Sequence, residues 1–594
     1  MKIKKTAEGI YGEYESGKDF NDNIKLYENV EKNNWFYTGD QWHGINAPDL
    51  TKPVFNIMKR VVNYYISQLV SDDIAVHITP FDETPENKVY AEIVSQEVEA
   101  VIERANVKAQ TRLNLKNCCV DGDTATFIYF DPDIETNQSY KGDICTEIVD
   151  NTHYIFGNPY SSNIQKQPYI LIVQRLFTDQ VKEYAKEQGV KDYEEIVPDD
   201  DVFNYDETAN QSHLTTVVTK FWKEKISKTE KDQFGIETES SYTTVKYMKV
   251  TSTKILKKET DTGYKKYPLS TMSWEEKRNS YHGTSPMTGL IPNQIFINKI
   301  FAMCMVYMTN MGFPRIFYDQ NKITKLTNDV TKATAMPQMD MMGKVIDAVK
   351  APDFSNQIIQ LVNSTISYTK DFMGASDAAL GNVSNPNNTS AIIAVQQASS
   401  VPLEIQRLEF YNFFEGIVRS IIDIMSVSYG KRIVHITENQ AKTLGLIETD
   451  VMGNVMKDEY GNPVYKTVTA VDFDKMKNFN YSLNVDIGQS TYWNETTQVQ
   501  TLDNLFDKGI ITDATIYLEG IPDKYVPNKA KIIETLKSQQ AQAQAQMQAQ
   551  NQVQNQAPHD ENINPVTGEP NQSPLERAYA KTFEVPLPAD QGVI

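Results

Sequence analysis

The stretch Pro292-Asn-Gln-Ile-Phe-Ile-Asn-Lys-Ile-Phe-Ala-Met-Cys-Met-Val-Tyr-Met-Thr-Asn-Met311, with Gly312 and Pro314 behind it, decides how this chain is read. It predicts one helix over 292–311. Pro292 suits a first turn, Gly312 suits the position just past the end, and Pro314 is a stop. About 20 residues at about 1.5 Å each make a rod of about 30 Å. A second helix is predicted over 354–373, with Ile358, Val362 and Ile366 on an apolar face that Ile359 and Leu361 widen. Its other side carries Asn356, Gln360, Asn363, Ser364 and Ser367. Between the rods, residues 311–353 read as a small α/β insertion, with strands over 314–319 and 344–349 and a short helix over 323–332.

Working outward, residues 374–390 are rich in Gly, Asn, Pro and Ser and read as a loop. A helix over 390–429 follows, with Leu408, Tyr411, Phe414, Ile417, Ile421 and Ile424 at helical spacing and Pro402 as a kink or break. Strands are predicted over 432–437, 464–471 and 481–487, then helices over 496–537. Residues 538–558 carry no charge and are mostly Gln and Ala, a helical extension or a disordered tract. The N-terminal 280 residues read as mixed α and β: helices over 23–34, 55–70 and 86–116, strands over 74–80, 124–130, 169–177 and 217–222, and a hairpin arm over 242–256. Trp35-Phe-Tyr37 and Trp42 form an aromatic knot that suits packing better than base stacking.

The chain has 594 residues, 40% of them hydrophobic, and 58 Lys plus Arg against 78 Asp plus Glu, a net charge of −20. That length allows several domains with real cores. The acid excess argues against an ordinary nucleic-acid binder. Four cysteines are too few and too poorly spaced for a disulfide framework or a Cys-based zinc site and suit a reducing cytoplasm. The apolar run 295–308 is interrupted by Asn298 and Lys299, so no membrane span and no membrane partner are expected, nor is a signal peptide.

The residues of familiar catalytic sites are missing. Gly17-Lys18-Asp19 and Gly343-Lys344-Val345 lack the upstream glycine and the hydroxyl of a phosphate-cradling loop, and no HExxH or GxSxG run occurs. His43, His77, His153, His213, His282, His435 and His559 stand singly. Asp121-Gly-Asp123 and Asp131-Pro-Asp133 read as acidic turns. No catalytic residue, metal ligand or cofactor is assigned, and no enzyme is expected; a nuclease with dispersed acids and Mg²⁺ is the weakest of the alternatives.

Two rods flanking an insertion make an antiparallel stalk with a tip, and a ring of stalks would enclose a tube lined by uncharged polar groups. Residues 354–389 hold one lysine and two acids, in a chain that is 23% charged. Duplex DNA carries one charge per about 1.7 Å of axis, so a lysine-lined bore would hold it and a neutral one would let it slide. Residues 311–352 carry Arg315, Lys322, Lys325, Lys332, Lys344 and Lys350 against four aspartates, a local excess of cations suited to an acidic partner or to entering DNA.

This succession of parts resembles the portal proteins of tailed bacteriophages. Trp35-Phe-Tyr-Thr-Gly-Asp-Gln-Trp42 is similar to that family's N-terminal element, and Val54-Phe-Asn-Ile57 to the one that comes after it. So are Val120-Asp-Gly-Asp-Thr-Ala-Thr-Phe-Ile-Tyr129, Tyr281-His-Gly283, Pro292-Asn-Gln294 with Asn298, and Gly374-Ala-Ser-Asp-Ala-Ala-Leu-Gly381 with Thr389-Ser-Ala-Ile392. One departure is Ala391, where the family often has a glycine-type residue.

The resemblance implies an α+β portal fold with a mixed wing, a two-helix stem, a small clip, a long kinked helix and a helical crown. Its parts would be an N-terminal wing (1–284), stem helix 1 (285–310), a clip (311–353), stem helix 2 (354–373), a tunnel loop (374–390), the long helix with the C-terminal wing (391–495), the crown (496–537) and a tail (538–594). It further implies a ring, usually of twelve subunits, at one capsid vertex of the virion, assembled in the host cytoplasm. Double-stranded DNA would pass through it during packaging and ejection. The implied partners are the large terminase subunit, the major capsid and scaffolding proteins, and a head-completion or adaptor protein. Asp377, Asn382, Val383, Ser384, Asn385, Asn387, Asn388 and Thr389 would face the DNA from the tunnel loop, and Arg315, Lys322, Lys325, Lys332 and Lys344 would form the docking surface of the clip. The alternative within reach is another structural virion protein, a head–tail adaptor or a capsid-associated protein.

Overall fold

The computed structural model describes residues 3–536 apart from internal stretches, the longest being 200–212, 323–332, 337–345 and 375–400. The chain divides at Ser490 into two units.

The first unit opens on α1 (Ala7–Asn23), capped by the Thr6 hydroxyl, and α2 (Leu26–Thr38), closed by Gly39 at φ +107°. Sequence periodicity misses α1 because its buried stripe is Ile10, Glu13, Tyr14, Gly17 and Asn21, in which only Ile10 and Tyr14 bring apolar bulk. Then come α3 (Ile57–Leu69), β1 (Ile74–Pro80), α4 (Pro85–Arg104) and α5 (Val107–Asp121). The single helix expected over 86–116 is two: Asn106 takes φ +54°, and the chain turns there so that α5 packs back on α4.

Two antiparallel sheets come next. Strands β2 (Asp123–Glu135), β3 (Lys141–Val149) and β9 (Leu269–Ser273) pair in the order β3-β2-β9. A five-stranded sheet runs β4-β5-β6-β7-β8, from β4 (Tyr154–Phe156), β5 (Tyr169–Phe177), β6 (Leu214–Lys231), β7 (Glu237–Val250) and β8 (Ile255–Asp261). A short helix, α6 (Thr178–Glu187), starts directly at the end of β5. Helix α1 lies on this sheet, where Ile10 and Tyr14 join Leu171, Val218, Trp222 and Met248 in one cluster.

Helix α7 runs Pro286–Met311, six residues earlier than the sequence suggests. Pro292 therefore sits inside the helix, where it is exposed and forfeits the bond back to the preceding turn. With that extension Pro286–Thr309 becomes long and apolar enough to cross a membrane, with a mean hydropathy of 1.3, contrary to the sequence expectation. The chain then forms a small sheet, β11-β10-β12, from β10 (Arg315–Asp319), β11 (Ala333–Met336) and β12 (Ile346–Val349). Strands β10 and β12 are antiparallel, with Arg315 opposite Val349, so the chain returns beside its outward path into α8 (Asn356–Phe372), which packs on α7. The short helix expected over 323–332 lies outside the described residues.

A single 3₁₀ turn, Val401–Leu403, holds Pro402, and α9 (Glu404–Ser428) begins at once behind it. Residues 390–400 of the expected long helix lie outside the described residues. Phe410, Phe414, Ile417, Ile421 and Met425 of α9 are fully buried in the largest core cluster, with α3, α4 and α5 around them. Gly416 lets β9 approach: a Cβ there would stand 2.5 Å from Ser270 Oγ, which donates to the Phe413 carbonyl at 2.8 Å. After β13 (Lys431–His435), α10 (Glu438–Thr443) and β14 (Val468–Asp472), β15 (Tyr481–Ile487) pairs antiparallel with β1 and closes the unit. In the second unit α11 (Tyr492–Asp507) and α12 (Ala514–Gly520) pack through Phe506 and Tyr517, whose rings are 4.6 Å apart.

Candidate channel segment and the network that seats it

Helix α7 is nearly uncharged, and two of its amides are buried. Buried amides need partners. Gln294 Nε2 donates to the Phe55 carbonyl at 2.7 Å and to Asn298 Oδ1 at 3.0 Å, while Gln294 Oε1 accepts from the Ile57 N–H at 3.3 Å. Asn298 Nδ2 donates to Gln41 Oε1 at 2.6 Å, and Gln41 Nε2 donates to the Phe36 carbonyl at 3.0 Å. Asn56 Nδ2 donates to the Phe36 and Tyr37 carbonyls. One turn earlier, Asn33 Nδ2 joins Thr288 Oγ1 to the Val120 carbonyl. Elements 237 to 257 residues apart in sequence, the aromatic knot, the 54–57 segment and α7, are thus sewn into one network.

A second knot holds the start of α7. Gly122 and Gly283 touch back to back: a Cβ on Gly283 would lie 2.5 Å from the Gly122 carbonyl oxygen. Asp123 accepts from the Asn151 amide at 3.0 Å and from the Tyr154 hydroxyl, and its Oδ2 is 2.7 Å from His282 Nδ1. Ser285 Oγ donates to the Cys119 carbonyl at 2.7 Å. The two acidic turns seen in the sequence thus have different fates. Asp123 is a buried strut, and Asp131 accepts from the Asp133 N–H at an exposed strand end.

Asp121, beside this knot, has its carboxyl pushed up to about 8, first by burial and then by Asp150 and Asp123, with Lys116 opposing. Such a group stabilises the fold fully below its unfolded value of about 3.9, and that contribution is lost as pH rises through 8. Melting temperature measured from about pH 5 to about pH 9 is expected to fall toward the alkaline end, with Asp121→Asn flattening the fall. An unchanged slope in the variant would refute this assignment.

On α8, Val362 and Thr369 are buried, and Gln360, Asn363, Ser364 and Ser367 are exposed. At about 100° per residue those four point away from the buried side. Asn356 opens the helix, and its side chain lies outside the described residues. The expected apolar face is only partly covered: Val362 is buried, whereas Ile359 and Leu361 are about half exposed. Gly374 turns the chain at φ +65°, its N–H donating to the Asp371 carbonyl at 3.0 Å. A Cβ on Gly374 would meet Pro402 at 3.4 Å, so these two residues stand side by side.

Asp377, Asn382, Val383, Ser384, Asn385, Asn387, Asn388 and Thr389 lie outside the described residues, as do Lys325, Lys332 and Lys344. Arg315 begins β10, its side chain also outside the described residues. Lys322 is exposed in a turn, with Nζ 3.7 Å from Asp319. Among the described residues no group of three or more His, Cys, Asp and Glu side chains could hold a metal ion.

The sequence marks Asn298 as an interruption of an apolar run and as part of the 292–298 resemblance, but does not reveal that Gln41, Asn56, Gln294 and Asn298 seat the helix. The available signal was two amides four residues apart on a helix whose one charge is Lys299. No curated protein matches the chain. A family model described as Phage P22-like portal protein matches residues 19–569, a span that takes in both knots, the helical hairpin with its closing sheet and the long buried helix. The chain belongs to that family, the portal proteins of phage virions, structural capsid components through which DNA is packaged.

Proposed function

We propose that copies of this chain close into a ring, of twelve in the family's usual form, at one capsid vertex. In it α7 and α8 are the stem, β10–β12 the clip, residues 374–390 the tunnel loop, the described residues up to β9 together with the segment after α9 the wing, and α11 with α12 the crown. The observation that carries this reading is the face of Gln360, Asn363, Ser364 and Ser367, exposed, uncharged and turned away from the buried side of α8. Asn356, four residues before Gln360 in the sequence, is assigned to the same bore lining. Amides and hydroxyls exchange hydrogen bonds with hydrated phosphates without displacing counterions, so such a lining does not clamp a duplex.

Asp377, Asn382, Val383, Ser384, Asn385, Asn387, Asn388 and Thr389 contact the moving DNA. Arg315, Lys322, Lys325, Lys332 and Lys344 meet the large terminase subunit and later the head-completion or adaptor protein. The wing meets scaffolding and major capsid proteins during assembly in the host cytoplasm, and ATP is hydrolysed by the motor and not by this chain.

Deletion of residues 382–388 tests the channel assignment. Rings with a central hole are expected to persist in negative-stain images, while DNA filling or retention falls severalfold. Loss of the rings would make the loop a subunit contact and remove it from the channel.

A further inference from the structure

The stem hairpin carries two apolar surfaces that the single chain leaves open. The first is a groove of about 700 Å³ along α7, lined by Trp42, Ile45, Leu50, Met303, Val306 and Tyr307. Its lining is almost wholly apolar, and Met303 stands 70% exposed. The second is a ridge on α8, where Leu361 and Tyr368 are 52% and 63% exposed and lie seven residues apart on one flank of the helix. Contiguous exposed apolar patches on soluble proteins mark contact sites.

We infer that the Leu361–Tyr368 ridge of each copy seats in the Trp42–Met303 groove of the next copy around the ring. The inference rests on the ring reading above and names the surfaces that make it. A closed ring needs a head-to-tail contact between two different patches of one chain. Cyclic symmetry also demands that the two patches sit at the same height, because rotation about the axis moves nothing along it.

They do so by residue count. Leu361 and Tyr368 lie 5 and 12 residues from the clip end of α8. The groove side chains of α7 run from Tyr307 to Lys299, 4 and 12 residues from the clip end of that helix. At about 1.5 Å per residue the ridge is about 10 Å long and the groove about 12 Å. The ridge also borders the Gln360–Ser367 face on α8, so a neighbour seated there leaves the proposed bore lining free.

Cysteine pairing between two kinds of chain tests the contact. In a background with Cys145→Ser and Cys304→Ser, tagged Met303→Cys chains are co-expressed with untagged Leu361→Cys chains and oxidised. Cys118 and Cys119 are buried and remain in place. The expected product is a mixed pair of one tagged and one untagged chain, at least tenfold above that from Met303→Cys with the exposed control Lys475→Cys. Rings of normal size without the mixed pair overturn this interface and leave the ring reading standing. Chains that stay monomeric without either cysteine overturn the ring reading itself, and this contact with it. As a second measurement, Met303→Glu and Leu361→Lys are each expected to dissociate the rings and together to restore them; failure to restore counts against the pairing.

Discussion

Asn298→Leu is expected to remove about 3–5 kcal/mol of stability and to abolish rings, although Leu is the better helix former. The amide answers Gln41 Oε1 at 2.6 Å, Gln294 Nε2 at 3.0 Å and the Phe55 N–H at 3.4 Å. All three would lose a partner, at about 1–3 kcal/mol for each buried group that finds no new one. Asn298→Asp should do worse than Asn298→Ser, since a carboxylate cannot donate to Gln41 and brings a charge into the core. Urea unfolding and ring yield measured together decide the matter. A loss under about 1 kcal/mol would mean that the network follows the packing and does not direct it.

The second large effect lies at Glu13. The Lys220 ammonium has no exposed surface; it is 2.5 Å from Glu13 Oε2 and 3.1 Å from the Lys4 carbonyl and lies over the Tyr169 ring. Glu13→Leu strands that cation, and breaking a buried pair from one side costs about 3–5 kcal/mol. Burial already holds the Lys220 amine below the usual lysine range. Without its partner the amine sheds its proton more readily in the fold than in the open chain. The unfolded state then binds more protons, and stability rises with pH, so the deficit of Glu13→Leu should shrink on going from about pH 7 to about pH 10. The double variant Glu13→Leu with Lys220→Met is expected to recover most of the loss. Equal instability of the single and double variants would show that the helix depends on packing alone.

Strands β1 and β15 were legible because they alternate between turn or proline signals, and β5 because it is a short apolar run opened by Pro168. The helical hairpin and its small sheet were legible for a different reason: two apolar-faced rods bracket a short mixed stretch. Helix α1 was not, since Glu13, Gly17 and Asn21 occupy three of the five positions of its buried stripe. Gly17 is there because any Cβ would collide with Ile155, a contact that no local pattern announces. The break at Asn106 was hidden for a similar reason, as a single left-handed residue leaves the apolar rhythm on both sides intact. Pro292 misled because a proline tolerated inside a helix looks the same in sequence as one that starts it. The motifs at 35–42, 54–57 and 292–298 each stood out alone; that they belong to one hydrogen-bond network became visible only when the chain was folded.

The pairing of Ile74–Pro80 with Tyr481–Ile487 sets a timetable for biosynthesis. Some 400 residues must leave the ribosome before β1 meets its partner, about 20–80 s at ordinary elongation rates. Throughout that interval the nascent polypeptide carries an open edge able to recruit another strand, and the helical hairpin of α7 and α8 is complete only once Phe372 has emerged, late in it. Encounters between growing copies on one message therefore occur while β1 is still unpaired, and a chaperone that shields β1 until termination would raise the yield of correctly closed subunits.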